Sequence, residues 1–215
     1  MKHSIKFLAA IMLILSAALT ARAQGSLSLH GTYQEFYNIT PLSAFPYGEV
    51  SDYPRQLGGG LRYNIGLNFK TSMSIGANFV YHGSKAFHYN DAKAKNYMGY
   101  LDLQFNHYLA GAYNRKGGFY AFGGLTAGQY WIVWDKFPRE IPEQGNYFYN
   151  RHALFVNASA GLGTEVYISN FYLFADGSIN TNLNHYVDGT TIKEMPMRNF
   201  WTVKAGIRLP FGQVE

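Results

Sequence analysis

The chain has 215 residues, with 18 lysines and arginines against 13 acidic side chains and no cysteine. The missing cysteines exclude a disulfide framework, a thiolate metal site and a cysteine-linked lipid anchor. Charged residues make up 14%, well below the roughly one quarter of ordinary soluble domains, while aromatics reach 17% and glycines number 23. That balance suits a surface facing lipid.

The N-terminus reads Met1-Lys2-His3-Ser4-Ile5-Lys6, then an apolar stretch from Phe7 to Leu19, then Thr20-Ala21-Arg22-Ala23-Gln24. A basic start, a short apolar middle and small residues at Ala21 and Ala23 predict a secretory signal peptide over residues 1–23, cleaved after Ala23. The apolar run is shorter than the about 20 residues a spanning helix needs. One domain is expected over residues 24–215. Loss of Lys2, Lys6 and Arg22 lowers the net charge from +5 to +2. No cluster of Lys and Arg is left to track phosphates, which argues against direct nucleic-acid binding.

Past the signal, alternation with a period of two recurs and predicts half-buried strands. In a first strand Leu27, Leu29 and Tyr33 oppose Ser28, His30 and Thr32. The second sets Leu61, Tyr63, Ile65 and Leu67 against Arg62, Asn64, Gly66 and Asn68, and the third Met73, Ile75, Ala77, Phe79 and Tyr81 against Ser74, Gly76, Asn78 and His82. A fourth sets Leu101, Leu103 and Phe105 against Asp102, Gln104 and Asn106. Three more are drawn near 118–134, 151–166 and 171–181, and the last puts Trp201, Val203, Ala205, Ile207, Leu209 and Phe211 opposite Thr202, Lys204, Gly206 and Arg208. This makes eight.

Long polar connections near 38–55, 84–96, 135–150 and 182–199 alternate with short ones around Lys70-Thr71, Asn114 to Gly117 and Ser169-Asn170. An even strand number with this rhythm predicts an all-β fold: an eight-stranded antiparallel up-and-down transmembrane β-barrel with long extracellular loops and short periplasmic turns. Both termini then face the periplasm. The expected location is the outer membrane of a diderm bacterium, with its lipid and lipopolysaccharide and the barrel insertion machinery as partners.

The apolar face could instead point inward, as in a lipocalin-like soluble barrel. The polar face, however, is dominated by Asn, Ser, Thr and Gly, with few of the Lys and Glu residues that keep a soluble surface solvated. Trp201 and Phe211 stand ten residues apart on one strand, a climb of roughly 25 Å at about 3.3 Å per residue and a tilt of about 40°. That matches the lipid-facing band and predicts one ring in each interfacial girdle. Tyr81, Tyr97 and Trp131 are candidates for the outer girdle, and Phe69, Phe105 and Phe119 for the inner. The ending Gly206-Ile207-Arg208-Leu209-Pro210-Phe211 resembles the C-terminal insertion signal of outer-membrane barrels, although Gly212 to Glu215 follow it.

By parity Arg62, Lys204 and Arg208 point inward with Asp102, Glu165 and Asp176. An eight-stranded barrel is just wide enough to be filled by side chains, so these six are expected to form a lumen plug of ion pairs. His82-Gly83-Ser84 has the His-x-Ser spacing of outer-membrane lipid A deacylases, which use His as base and Ser as nucleophile. Lys85 stands where that family has Asn, and no carboxylate stands at a matching strand position to orient the His. No catalytic role is expected. The histidines are scattered without metal-ligand spacing, and Gly58-Gly59-Gly60 and Gly123-Gly124 lack the lysine of a phosphate loop and are expected to mark bends or bulges. No cofactor or metal is expected.

Two phrases, Phe119-Tyr120-Ala121-Phe122-Gly123-Gly124-Leu125-Thr126-Ala127-Gly128 and Ala158-Ser159-Ala160-Gly161-Leu162-Gly163-Thr164-Glu165, resemble small bacterial outer-membrane barrel proteins. The run from Tyr97 onward, with its strand Leu101 to Tyr108, its glycine-rich strand to Gly128 and Trp134 before a long loop, is similar to the TraO family of conjugative transposons. That similarity implies a part in a DNA-transfer apparatus at the outer membrane and contact with its other envelope components. The expected function is a non-enzymatic structural or binding role carried by the long loops, especially Asp135 to Asn150 and Asn182 to Asn199. The alternatives are a lipid A-modifying enzyme or a small adhesion or defence porin-like protein.

Overall fold

The computed structural model describes residues 25–37, 55–84, 93–136, 151–183 and 199–211. They form eight strands: β1 (Gly25–Tyr37), β2 (Arg55–Gly66), β3 (Thr71–Ser84), β4 (Lys93–Gly111), β5 (Gly117–Lys136), β6 (Arg151–Ile168), β7 (Phe171–Asn182) and β8 (Asn199–Phe211). Each pairs antiparallel with the next, and β8 returns to β1 from Gly25↔Phe211 to Tyr37↔Asn199, closing the barrel. Closure leaves no strand edge among the described residues, which is the condition for sheet to span lipid. The all-β expectation of eight antiparallel strands in a closed barrel holds.

Strand parity divides inside from outside. Leu29, Leu61, Phe79, Leu101, Leu125, Leu162, Leu173 and Ile207 point outward and are exposed, one from each strand. Their partners in alternation, among them Ser28, Arg62, Asn78, Asp102, Thr126, Glu165, Phe174 and Arg208, are buried. An apolar surface this continuous would aggregate in water. It is the band of a membrane barrel, and the lipocalin-like arrangement with a greasy interior is excluded by where these side chains lie.

The turns at one end are short and locally determined. Between β2 and β3 the Asn68 carboxamide accepts the Lys70 and Thr71 amides at 2.8 and 2.9 Å, a side-chain turn that asparagine is suited to make. Between β6 and β7 two residues suffice, with Ser169 at φ 58°. The β4–β5 turn, residues 112–116, begins after Gly111 at φ 72° and contains Asn114 at φ 56°. The first residue of β1 and the last of β8 sit at this same end. The connections at the other end fall at 38–54, 85–92, 137–150 and 184–198, outside the described residues, as do the expected signal peptide and the chain's last four residues.

The glycine runs do not break the pairing. Gly58, Gly59 and Gly60 stay in register with β1 and β3, and Gly123 and Gly124 with β4 and β6. The bulges lie elsewhere, at Lys93/Ala94 and at Tyr108/Ala110, where Leu109 is the extra residue. Two other glycines make space for rings: a side chain at Gly161 would overlap the Phe122 ring, and one at Gly163 the Tyr120 ring and the Asp176 carboxylate. Large inward rings on one strand are seated over inward glycines on the next.

Candidate functional site: the filled lumen

The six charged residues read from parity are all buried inside the barrel, in two groups along its axis. In the middle, the Arg62 Nη1 donates to Asp176 Oδ2 at 2.6 Å, and Lys204 Nζ donates to Asp102 Oδ2 at 2.6 Å. Arg62 Nη2 is 3.8 Å from the same Asp102 oxygen, so the two pairs join. Asn78 Nδ2 donates to Asp102 Oδ1 at 3.1 Å, His30 Nε2 donates to Asn78 Oδ1 at 2.8 Å, and the Tyr120 hydroxyl donates to Asp176 Oδ1. Each carboxylate thus holds at least two donors, the condition under which buried ion pairs persist.

Nearer the short turns, Arg208 grips Glu165 with two bonds, Nε to Oε2 at 3.1 Å and Nη2 to Oε1 at 2.8 Å. Tyr108 donates a third bond to Glu165 at 2.9 Å. The guanidinium lies 3.8 Å from the centre of the Tyr172 ring and 4.7 Å from that of Tyr113, contacts worth about 2 kcal/mol or more when desolvated. Its Nη1 also donates to Asn114 Oδ1 at 2.6 Å and to Ser26 Oγ at 3.2 Å. Tyr113 and Asn114 belong to the β4–β5 turn, so this turn folds into the barrel mouth and closes it. Burial pushes the Tyr113 phenol above its ordinary value, which keeps it protonated beside Ser26 Oγ at 3.0 Å.

Sequence reasoning missed these turn residues and the aromatics of the lumen. Tyr100, Tyr108, Tyr120, Phe122, Tyr172, Phe174 and Phe200 all point inward and are buried. Toward the loop end Tyr100, Phe155 and Phe200 form a triangle with ring centres 6.3 to 6.4 Å apart, and the amides of Gln34 and Gln56 join at 3.0 Å. The signal existed: in Phe119-Tyr120-Ala121-Phe122 both parities are apolar, and the facing strand offers Gly161 and Gly163 at the inward positions. Beside the central ion pairs, against Tyr100 and Phe122, lies a cavity of about 10 Å³, room for about one water.

On the outside, Trp201 packs on Tyr33 with ring centres 5.1 Å apart, and Phe211 on Tyr63 at 6.4 Å, toward opposite ends of the barrel. Tyr81 and Tyr97 pair at 5.1 Å toward the loop end, with Trp131 beside Tyr97 in register. Phe69, Phe105 and Phe119 are exposed toward the short-turn end. His82 and Ser84 lie near the loop end of β3, opposite Asn96 and Ala94; their side chains are outside the described residues. No group of three or more potential metal ligands occurs among the described residues.

The fold has known counterparts. A major outer membrane protein of Thermus thermophilus superimposes with a TM-score of 0.57 at 10% identity, covering 87% of this chain and 99% of that one. Neisserial surface protein A gives 0.53 at 8% identity, with 87% and 97% covered. The attachment invasion locus protein Ail of Yersinia pestis gives 0.52 at 12%, with 88% and 99% covered. At such identities the likeness is one of fold: this chain has the architecture of small outer-membrane β-barrels. No protein-family model and no curated protein matches the sequence.

Proposed function

We propose that this protein is a non-enzymatic outer-membrane barrel, exported by its N-terminal segment, whose loops bind an external molecule or an envelope partner. The observation that supports this reading is the lumen: among the described residues six charges are paired among themselves, rings are seated over glycines and a turn is tucked into one mouth. An eight-stranded barrel so filled is a rigid mount, and loops on rigid mounts are where recognition concentrates. Replacing residues 137–150 and 184–198 with short turns should preserve the folded barrel, seen as faster migration of unboiled than boiled protein on a denaturing gel, while reproducing the phenotype of deletion. A loopless barrel with full function would sink the reading.

Within it, a part in conjugative DNA transfer rests on the similarity of the stretch from Tyr97 onward to the TraO family. Mating frequency after deletion tests it, and transfer at the parental rate would remove it. Lipid A modification by His82 and Ser84 is the enzymatic alternative, which identical lipid A mass spectra with and without the gene would end.

A further inference from the structure

The short-turn end of the barrel carries an arc of positive charge. Lys70 lies in the β2–β3 turn and Arg115 and Lys116 in the β4–β5 turn, the latter two exposed. The Lys70 ammonium donates to the Gly111 carbonyl at 3.0 Å, which holds it beside the neighbouring turn. The Lys116 carbonyl accepts the Tyr167 amide at 2.9 Å, fixing the backbone of that turn against β6. His107 lies nearby on the outward face of β4, in register with Thr71. Among the described residues at this end the only carboxylate is Glu165, which is buried and held by Arg208. Like charges gathered on one arc set up a positive potential that draws anions to it.

The surroundings identify the chemistry of that anion. Phe69, Leu67, Leu109, Phe105 and Phe119 are exposed around the same arc, so the cations sit where an apolar band meets water. That is the level of phospholipid headgroups, and long basic side chains reach from such a level to phosphate. We infer that Lys70, Arg115 and Lys116 form a binding collar for anionic phospholipid, with the phosphodiester between the two turns and the acyl chains along Phe69 and Phe119. The inference leans on the membrane reading of the barrel but goes beyond it, since it assigns a lipid class to one side of one end.

The test is native mass spectrometry of the full-length protein, folded in detergent and offered equal amounts of phosphatidylglycerol and phosphatidylcholine. Wild type should retain phosphatidylglycerol preferentially, and Lys70→Gln/Arg115→Gln/Lys116→Gln should lose that preference at least ten-fold, a basic residue near an anionic surface being worth roughly five-fold. Excess inorganic phosphate should not displace the lipid, because the apolar rim holds its chains. Equal retention of both lipids by wild type, displacement by free phosphate, or an unchanged preference in the triple variant would each overturn the collar. Arg55→Gln, at the opposite end, should leave the preference intact, and a loss there would count against the assignment. If the triple variant fails to fold, the exposed single change Lys116→Gln carries the test, with a several-fold loss expected. The gel-migration assay reads barrel formation separately, so failure of the collar and failure of the barrel are told apart.

Discussion

Arg208 on β8 and Glu165 on β6 meet inside the barrel through two parallel hydrogen bonds of 3.1 and 2.8 Å, although a whole strand stands between them in the sheet. Arg208→Met leaves Glu165 buried with only Tyr108 as donor, and removal of one partner of a buried pair costs about 3–5 kcal/mol. Arg208→Met combined with Glu165→Gln should recover most of that loss. Urea unfolding in lipid vesicles measures both, and a double variant as unstable as the single would contradict the pairing as the cause.

Two glycines on facing strands, Gly163 turned into the lumen and Gly177 turned outward, make a contrast of substitutions. Gly163→Val drives a side chain into Tyr120 and Asp176 and should destabilise by about 1–3 kcal/mol, as overpacking does. Gly177→Ala meets nothing within 4 Å and should change stability by less than about 0.5 kcal/mol. If the two variants unfold at the same urea concentration, seating of rings over glycines is not what packs this lumen.

The outward face is tested at Leu125, 49% exposed and midway between Phe119 and Trp131 on β5. In lipid, Leu125→Arg should cost about 2–4 kcal/mol, the penalty for a cation at the bilayer midplane. On a soluble barrel the same change would be close to neutral. Folding yield into vesicles separates the two.

The closing strand carries a charge argument of its own. Among the described side chains, strands β1 to β7 bury one Lys or Arg, Arg62, against Asp102, Glu165 and Asp176, and β8 supplies Lys204 and Arg208. Both reach across the lumen to β4 and β6 rather than to neighbouring strands. Because the chain has no cysteine, pairs can be placed at Leu29 and Ile207 on the β1–β8 seam and, as a control, at Ala77 and Leu101 between β3 and β4. Lys204→Met with Arg208→Met should lower seam cross-linking several-fold and spare the control, whereas Arg62→Met should not favour the seam. Equal losses at both positions would mean the β8 cations are ordinary pairs with no special part in closure.

Much of the fold was legible in the sequence because lipid enforces a simple rule. Within the band, outward side chains from Leu27 to Phe211 must be apolar, small or aromatic, so alternation reveals strands, their number and their sidedness, and hence which charges share the lumen. The interior follows no comparable rule. Tyr120 and Phe122 look like girdle residues until their facing glycines are known, and facing residues depend on register. Tyr113 and Asn114 look like solvated turn residues, because nothing local announces that Arg208, nearly a hundred positions later, will draw them inward. The alternating pattern also understates β4 and β5, which run from Lys93 and to Lys136, since backbone pairing between long neighbouring strands continues past the apolar band.

The turn folded into the barrel mouth has a consequence for how such a protein can serve a cell. A molecule caught among the loops meets, beneath them, paired amides, a triangle of rings, four interlocked charges and finally Arg208 clasped by Tyr113 and Asn114. Nothing crosses. On the proposed reading, a signal gathered at the loops would pass sideways to a neighbour in the membrane rather than down through the filled lumen.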